Sequence, residues 1–539
     1  MKRKKLRVVV VSFIMLILLT SCSYGAGSTP NSGNTAENGS KSGGKVSIPI
    51  VADPTFNPWH PNAYAESNVI NRVLFSGLTQ PGKDLSPSPD LAESWETSED
   101  ELEWTFKLRE DVKWHDGEQF TADDVVYTFN EIVLNEELGS NNSSYFQKVR
   151  EVKAEDDFTV KFILDNPVAA LPAYLSFNTE ILPQHIFEGE DPWELTSFNK
   201  VDPVGTGSFK LKSYTSGQSV VLERNEDFYG DMALLDEVEY KVLADANTHV
   251  AQILSGELSI FALDDLAAIE KIESTEGVSV HARETTRFFW IILNQELEKY
   301  QDKNIRQAIL HSIDRQNIID TVLKGYATIA DSGIAPALEQ YYIDDVTRIE
   351  YDPERAKSLL AEAGWADTDG DGVLDKDGEA LSIDFEIGIQ GDLEAVAQMV
   401  QQYVEKIGIK VNLKTMEWNT MIQEVVVNRN YEMSLNWWRY PADPDLSAYM
   451  HSDNVKGNNL PGYKNKELDD LLDKGSETSD VSIRKEVYIE AQKLMADELP
   501  YLFLWYPQEA QVRVDELKGV PELSFGDALH YINEWYLEE

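Results

Sequence analysis

The chain has 539 residues, 42% hydrophobic and 10% aromatic, an ordinary globular composition. Its 94 acidic against 47 basic side chains leave a formal net charge of -47. That balance excludes nucleic acid as a partner, since phosphate contacts need a basic face, and excludes lying flat on an anionic lipid surface.

The N-terminus comes first. Lys2, Arg3, Lys4, Lys5 and Arg7 precede a nearly unbroken apolar run over 8–19. The run is too short for a membrane span but has the length of a signal-peptide core. It ends in Leu19-Thr20-Ser21-Cys22, which resembles a lipobox, and Cys22 is the only cysteine in the chain. Residues 1–21 are therefore expected to be a lipoprotein signal peptide, with Cys22 as the lipid attachment site. The Ser/Gly/Asn-rich stretch over 22–44 is the expected flexible tether. No later segment is apolar enough to span a membrane, so the expected anchor is a lipid on the outer face of a bacterial cell membrane. With one cysteine there is no disulfide, and stability must come from the core.

About 500 residues remain after the leader, too many for one compact core, so two or three lobes are expected. Helical and extended patterns alternate throughout, which predicts a mixed α/β fold. Thr121, followed three residues later by Asp124, predicts a capped helix start. His115-Asp116-Gly117 just before it pairs a histidine with a carboxylate, but Asp-Gly is a tight-turn dipeptide and the segment reads as a turn. Residues 159–164 and 218–223 read as strands, as does 287–294 with its aromatics Phe288, Phe289 and Trp290. Asp352-Pro353 opens a helix with Ala356, Leu359, Leu360 and Ala363 on one face, and Gly364 stops it.

The loop at 367–378 is rich in Asp and Gly. Counting Asp367 as position 1, Asp369, Asp371 and Asp375 fall at 3, 5 and 9, Gly372 at 6 and the Val373 carbonyl at 7, the spacing of an EF-hand loop. Position 12 is Gly378 rather than the bidentate Glu. The bland reading is a hydrophilic turn; the sharper one is a structural Ca2+ ion on Asp367, Asp369, Asp371, Val373 and Asp375. The run 407–413 reads as helix end, Gly, then strand, and 501–506 as a buried strand. The eight histidines show no metal-ligand spacing. No nucleophile elbow or Ser-His-Asp pattern appears, and no two carboxylates stand out as a catalytic pair, so an enzyme is not expected.

Several segments resemble the bacterial extracellular solute-binding proteins of family 5, the peptide, dipeptide and nickel group of ABC importers. The strongest is 104–129, WTFKLREDVKWHDGEQFTADDVVYTF; 85–95, 203–209, 225–229 and 305–315 follow the family in order. The resemblance implies a two-lobed, periplasmic-binding-protein-like (type II) α/β fold of the large three-part subclass. Lobe I would cover 45–290 and recover 510–539, and lobe II would cover 291–509, with a two-segment hinge and closure over ligand. It further implies capture of peptides between the lobes by a monomer and delivery to the permease subunits of an importer.

In such relatives the segment corresponding to 436–445 lines the cleft, and an aspartate in it pairs with the peptide's α-ammonium group. The candidate contacts here are Trp437, Trp438, Arg439, Tyr440, Asp443 and Asp445. Aligning Asp443-Pro444 on the family's acidic-Pro pair places Tyr440 where that aspartate would lie. Either Asp443 or Asp445 serves instead, or the ligand is not held by a free amino terminus. Asp53, after the first strand, and Phe289, on the strand into the hinge, are further candidates, with core packing or hinge support as the bland reading of each. Tandem Trp also suits sugar rings, so an oligosaccharide-binding relative is the alternative and a secreted hydrolase the second alternative.

Overall fold

The computed structural model describes residues 43–538 apart from Tyr64, Asn141, Asp264 and Asp265. The signal peptide, Cys22 and all but the last two residues of the expected tether lie outside the described residues. No helix among the described residues is long and apolar enough to cross a membrane.

Among the described residues, four sheets of three or more strands carry the fold. In the first, Lys45–Ile50 pairs in parallel with Glu237–Val242, and Ser219–Arg224 and Phe209–Thr215 continue antiparallel. The second is an antiparallel run of Ala92–Thr97, Glu103–Leu108, Thr159–Leu164 and Val149–Asp156. Its pleat is legible in Glu103–Leu108, where Trp104, Phe106 and Leu108 are buried and Lys107 is exposed.

In the third sheet the strand Glu509–Val514 lies between Ile260–Leu263 and Val278–Arg283, antiparallel to both. The fourth runs Ala327–Ile329, Leu502–Pro507, Arg287–Leu293, Met433–Arg439, Ser382–Ile389 and Lys410–Glu417. Arg287–Leu293 sits inside this sheet, and Phe288 and Trp290 to Leu293 are all buried, as expected for a strand covered on both faces. Ser382–Ile389 and Lys410–Glu417 are parallel, so the chain returns through a crossover helix, Leu393–Glu405. The chain crosses between the third and fourth sheets twice, between Arg283 and Arg287 and between Pro507 and Glu509.

The helix starts follow their caps. Asp124 accepts from the Thr121 backbone N–H at 2.9 Å and opens Ala122–Tyr127. Asp352 accepts from the Glu354 and Arg355 N–H groups and opens Pro353–Glu362, while Gly364 leaves at φ +87. The His115-Asp116-Gly117 segment is a turn with Gly117 at φ +95. His115 accepts from Gly205 N–H at Nδ1 and contacts the Gly207 carbonyl through Nε2, so the ring is a neutral bridge between two loops. Burial, only partly offset by the bond to Gly207, pushes its pKa down to about 4.

Candidate functional site

The site is built on two antiparallel neighbours in the six-stranded sheet. Their register puts Arg287 opposite Arg439, Phe288 opposite Trp438 and Phe289 opposite Trp437. Because the pleat alternates, these pairs face opposite sides. On one side Phe289 lies between Trp437, 6.2 Å away, and Trp505, 5.6 Å away. Trp418 continues the row, its ring 6.3 Å from Trp437 and nearly parallel to it. The Arg287 guanidinium lies 5.0 Å above Trp437. Trp437 and Phe289 keep partial exposure, while Trp505 is buried.

The other side is different. Trp438 tilts against Tyr449 at 5.9 Å, and its indole N–H is buried with no acceptor among the described residues. Tyr440 is 1% exposed and packs edge-on to Phe288. Its hydroxyl donates to the Gly333 carbonyl and accepts from the Ala335 N–H, both at 3.1 Å. In this structure the Tyr440 ring packs in the core and its hydroxyl is engaged on both sides.

Arg439 leaves the aromatic side to meet the C-terminal segment. It donates to both carboxylate oxygens of Asp527 at 2.9 Å. Ser524 donates to the same carboxylate, and Arg72, itself held by Asn178, lies 3.9 Å away. Burial alone would raise the Asp527 pKa, but Arg439, Arg72 and Ser524 together hold it down to about 2. Two further bonds join the first part of the chain to the second: Ala169 N–H to the Ser476 carbonyl, 3.0 Å, and Ser479 N–H to Glu101, 2.7 Å.

Two cavities flank this junction. One of about 640 Å³ is bounded by Trp95, Trp104 and Pro172 on one side and Tyr341, Asp443 and Arg484 on the other. A smaller one of about 210 Å³ is bounded by Tyr145 and Tyr174 opposite Asp443, Asp445 and Tyr449. Asp443 lies on the wall of both. Its carboxylate is engaged by Arg484 through two bonds of 2.6 and 2.8 Å. Asp445 accepts from the backbone N–H and the hydroxyl of Ser447; burial first, then the charge of Asp443, raises its pKa.

Asp53 is exposed and accepts from Ser216 Oγ and Gly217 N–H, so it pins the turn between Phe209–Thr215 and Ser219–Arg224. In the acidic loop the carboxylates of Asp367, Asp369 and Asp375 come together, each within 4.8 Å of the others, and Asp371 does not join them. Asp367 accepts from Gly370 and Gly372 N–H, Asp369 from Asp371, and Asp371 from Val373, so the loop folds through its own side chains. Three donors would suit a divalent ion, but the set lacks the bidentate partner at position 12.

Local sequence reasoning missed Trp418, Tyr145, Tyr174, Arg484 and Asp527. Only Trp418 carried a signal, a large aromatic at a strand end; the others are distant in sequence from the residues they meet.

Residues 86–459 match the family model described as bacterial extracellular solute-binding proteins, family 5 Middle. The chain is 32% identical to the oligopeptide-binding protein AppA of Bacillus subtilis (strain 168), over 100% of both chains. The structure of AppA from Bacillus subtilis in complex with a nonapeptide superposes with a TM-score of 0.76 at 31% identity, covering 93% of this chain and 100% of that one. The ABC transporter substrate-binding protein CtaP from Listeria monocytogenes superposes with a TM-score of 0.80 at 28% identity, covering 93% and 100%. The fold is the two-lobed α/β fold of periplasmic binding proteins. On the match of most of its length, the chain belongs to the bacterial extracellular solute-binding proteins of family 5.

Proposed function

We propose that the chain captures peptides between its lobes and hands them to the permease of an ABC importer. The observation that carries this reading is the end-to-end likeness to an oligopeptide-binding protein whose structure holds a nonapeptide. It fits the geometry: two cavities lie where the first and second parts of the chain meet, and a partly exposed aromatic row runs along one face of the six-stranded sheet. The lobes of this reading are 45–290 with 510–539, and 291–509, and the two crossings near residues 285 and 508 are their hinge. Within the family, such chains are binding proteins rather than enzymes.

The first experiment is mass spectrometry of ligand co-purified with residues 23–539 after gentle denaturation. A ladder of peptides supports the reading. Oligosaccharides without peptides would replace it with the sugar-binding alternative, which the parallel Trp418 and Trp437 rings favour. Turnover of either class would be needed to revive a hydrolase.

Two further readings stand beside this one. Cys22 carries a diacylglyceryl anchor that holds a monomer on the outer membrane face; a Cys22→Ser variant recovered in the medium rather than in membranes supports it, and retention at the membrane overturns it. The cluster of Asp367, Asp369 and Asp375 takes a structural calcium ion; a rise in Tm with millimolar Ca2+, reversed by a chelator and absent in Asp369→Asn, tests it.

A further inference from the structure

Asp443 is the carboxylate best placed to meet a ligand cation, since it walls both cavities at the junction. Neither oxygen is free to do so. Oδ2 accepts from Arg484 Nη1 at 2.8 Å; Oδ1 accepts from Arg484 Nη2 at 2.6 Å and from the Asp445 N–H at 2.9 Å. Arg484 is equally committed. Its Nε donates to the Gly475 carbonyl at 3.0 Å, and its guanidinium lies 5.6 Å from the Tyr341 ring and 5.5 Å from the Tyr488 ring. The two side chains are 6% and 7% exposed. A planar fork held by a buried carboxylate, a carbonyl and two aromatic rings does not swing away to admit a competitor.

The charges around the pair support the same conclusion. Asp445 is the other carboxylate on the smaller cavity, and one of its oxygens is occupied by Ser447. Tyr174, Tyr341 and Tyr488 border the acids and carry no charge at neutral pH. Arg484 therefore cancels the charge of Asp443 where the cavities meet, leaving Asp445 and Lys148 as the other charged groups on the smaller cavity and Asp84 and Glu339 on the larger.

We propose that Arg484 is a specificity-determining residue, which by locking Asp443 in a closed pair withholds a counter-ion from the ligand and lets the cleft accept chains without a free amino terminus. This rests on the peptide reading above. It also separates the chain from a binding mode in which an acidic side chain of the 436–445 segment grips the ligand's ammonium group.

The test is a competition between a randomised nonapeptide pool lacking lysine and arginine and the same pool N-acetylated. Mass spectrometry of the retained fraction gives the ratio of free to acetylated peptide. It is run on the wild type, on Arg484→Gln, and on the neutral double variant Asp443→Asn/Arg484→Gln. The expected result is a wild-type ratio within about twofold of the double variant's, and a ratio at least about tenfold higher in Arg484→Gln, where Asp443 is released. A double-variant ratio about tenfold below wild type would mean that Asp443 already serves the ligand, and would overturn the inference. So would a folded Arg484→Gln that keeps the wild-type ratio. Where Arg484→Gln does not fold, wild type against the double variant decides. Retention of neither pool by any form removes the peptide reading itself, a result distinct from a changed ratio.

Discussion

Glu180 is 3% exposed, and one of its carboxylate oxygens is buried with no partner among the described residues. Burial, only partly offset by its own backbone N–H and by Arg72, raises its pKa to about 7. An acid whose folded pKa lies above the unfolded value stabilises most below that unfolded value, near 4.5, and its contribution is lost as pH rises through about 7. Glu180→Gln is therefore expected to raise stability by about 1–3 kcal/mol at pH 8 and to change it little at pH 4, read from denaturant midpoints at the two values. Equal effects at both pH values would refute this account. At the same scale, Trp437→Ala removes the middle of the aromatic row and is expected to weaken ligand binding about tenfold while leaving the melting curve near wild type. Unchanged affinity would move the ligand off this face. The individual roles were only partly legible. Trp437 and Trp438 are adjacent and identical in type; alternation puts Trp437 on the same face as Arg439, but nothing in the run Asn436-Trp437-Trp438-Arg439 says which face keeps exposure. Asp443 looked available because Arg484 is 41 residues away. Tyr440 looked like a cleft residue because its core partners, Gly333 and Ala335, lie more than a hundred residues upstream.

Among the elements, those with local punctuation were legible and those fixed by remote packing were not. Asp352-Pro353 and Gly364 bracket their helix because a side-chain cap and a left-handed exit are local chemistry. The strand Arg287–Leu293 was legible from its unbroken apolar run, although its place inside a six-stranded sheet was not. The glycines of Pro203-Val204-Gly205-Thr206-Gly207 show the opposite case. A Cβ on Gly205 would lie 1.9 Å from the Leu74 carbonyl oxygen, and one on Gly207 would lie 2.2 Å from that of Val73. The loop needs glycine because it lies directly against the end of the helix Ala65–Leu74, and rigid backbone on both sides cannot give way. Gly205→Ala is expected to cost several kcal/mol, at least about 3, and to lower Tm or soluble yield sharply, with Gly457→Ala, whose added Cβ meets nothing closer than 3.5 Å, losing much less. Similar losses in the two variants would remove close approach as the reason for Gly205.

At the scale of the molecule, the bond between Arg439 and Asp527 links the six-stranded sheet to the C-terminal segment. In the two-lobe reading it ties one lobe to the other. Asp527→Asn weakens that tie and leaves Arg439 and Arg72 short of a counter-charge. The expected outcome is ligand affinity reduced about tenfold and a larger ligand-bound radius of gyration by small-angle scattering. An unchanged radius with unchanged affinity would show that the pair does not report closure. The pH dependence has a definite sign. The Asp527 pKa is lowered from 3.8 to about 2, so its stabilisation is present above about pH 4 and is lost as pH falls toward 2.

The placement of Glu509–Val514 between Ile260–Leu263 and Val278–Arg283 has a consequence for how the molecule is made. Synthesis runs from the N-terminus, and those two flanking strands emerge long before the strand that joins them. Until residues 509–514 leave the ribosome, the early part of the chain holds an incomplete sheet with two unsatisfied edges. Completion of that one sheet is thereby deferred until the C-terminal segment is made, whereas the two four-stranded sheets draw only on residues 45–242 and can close first.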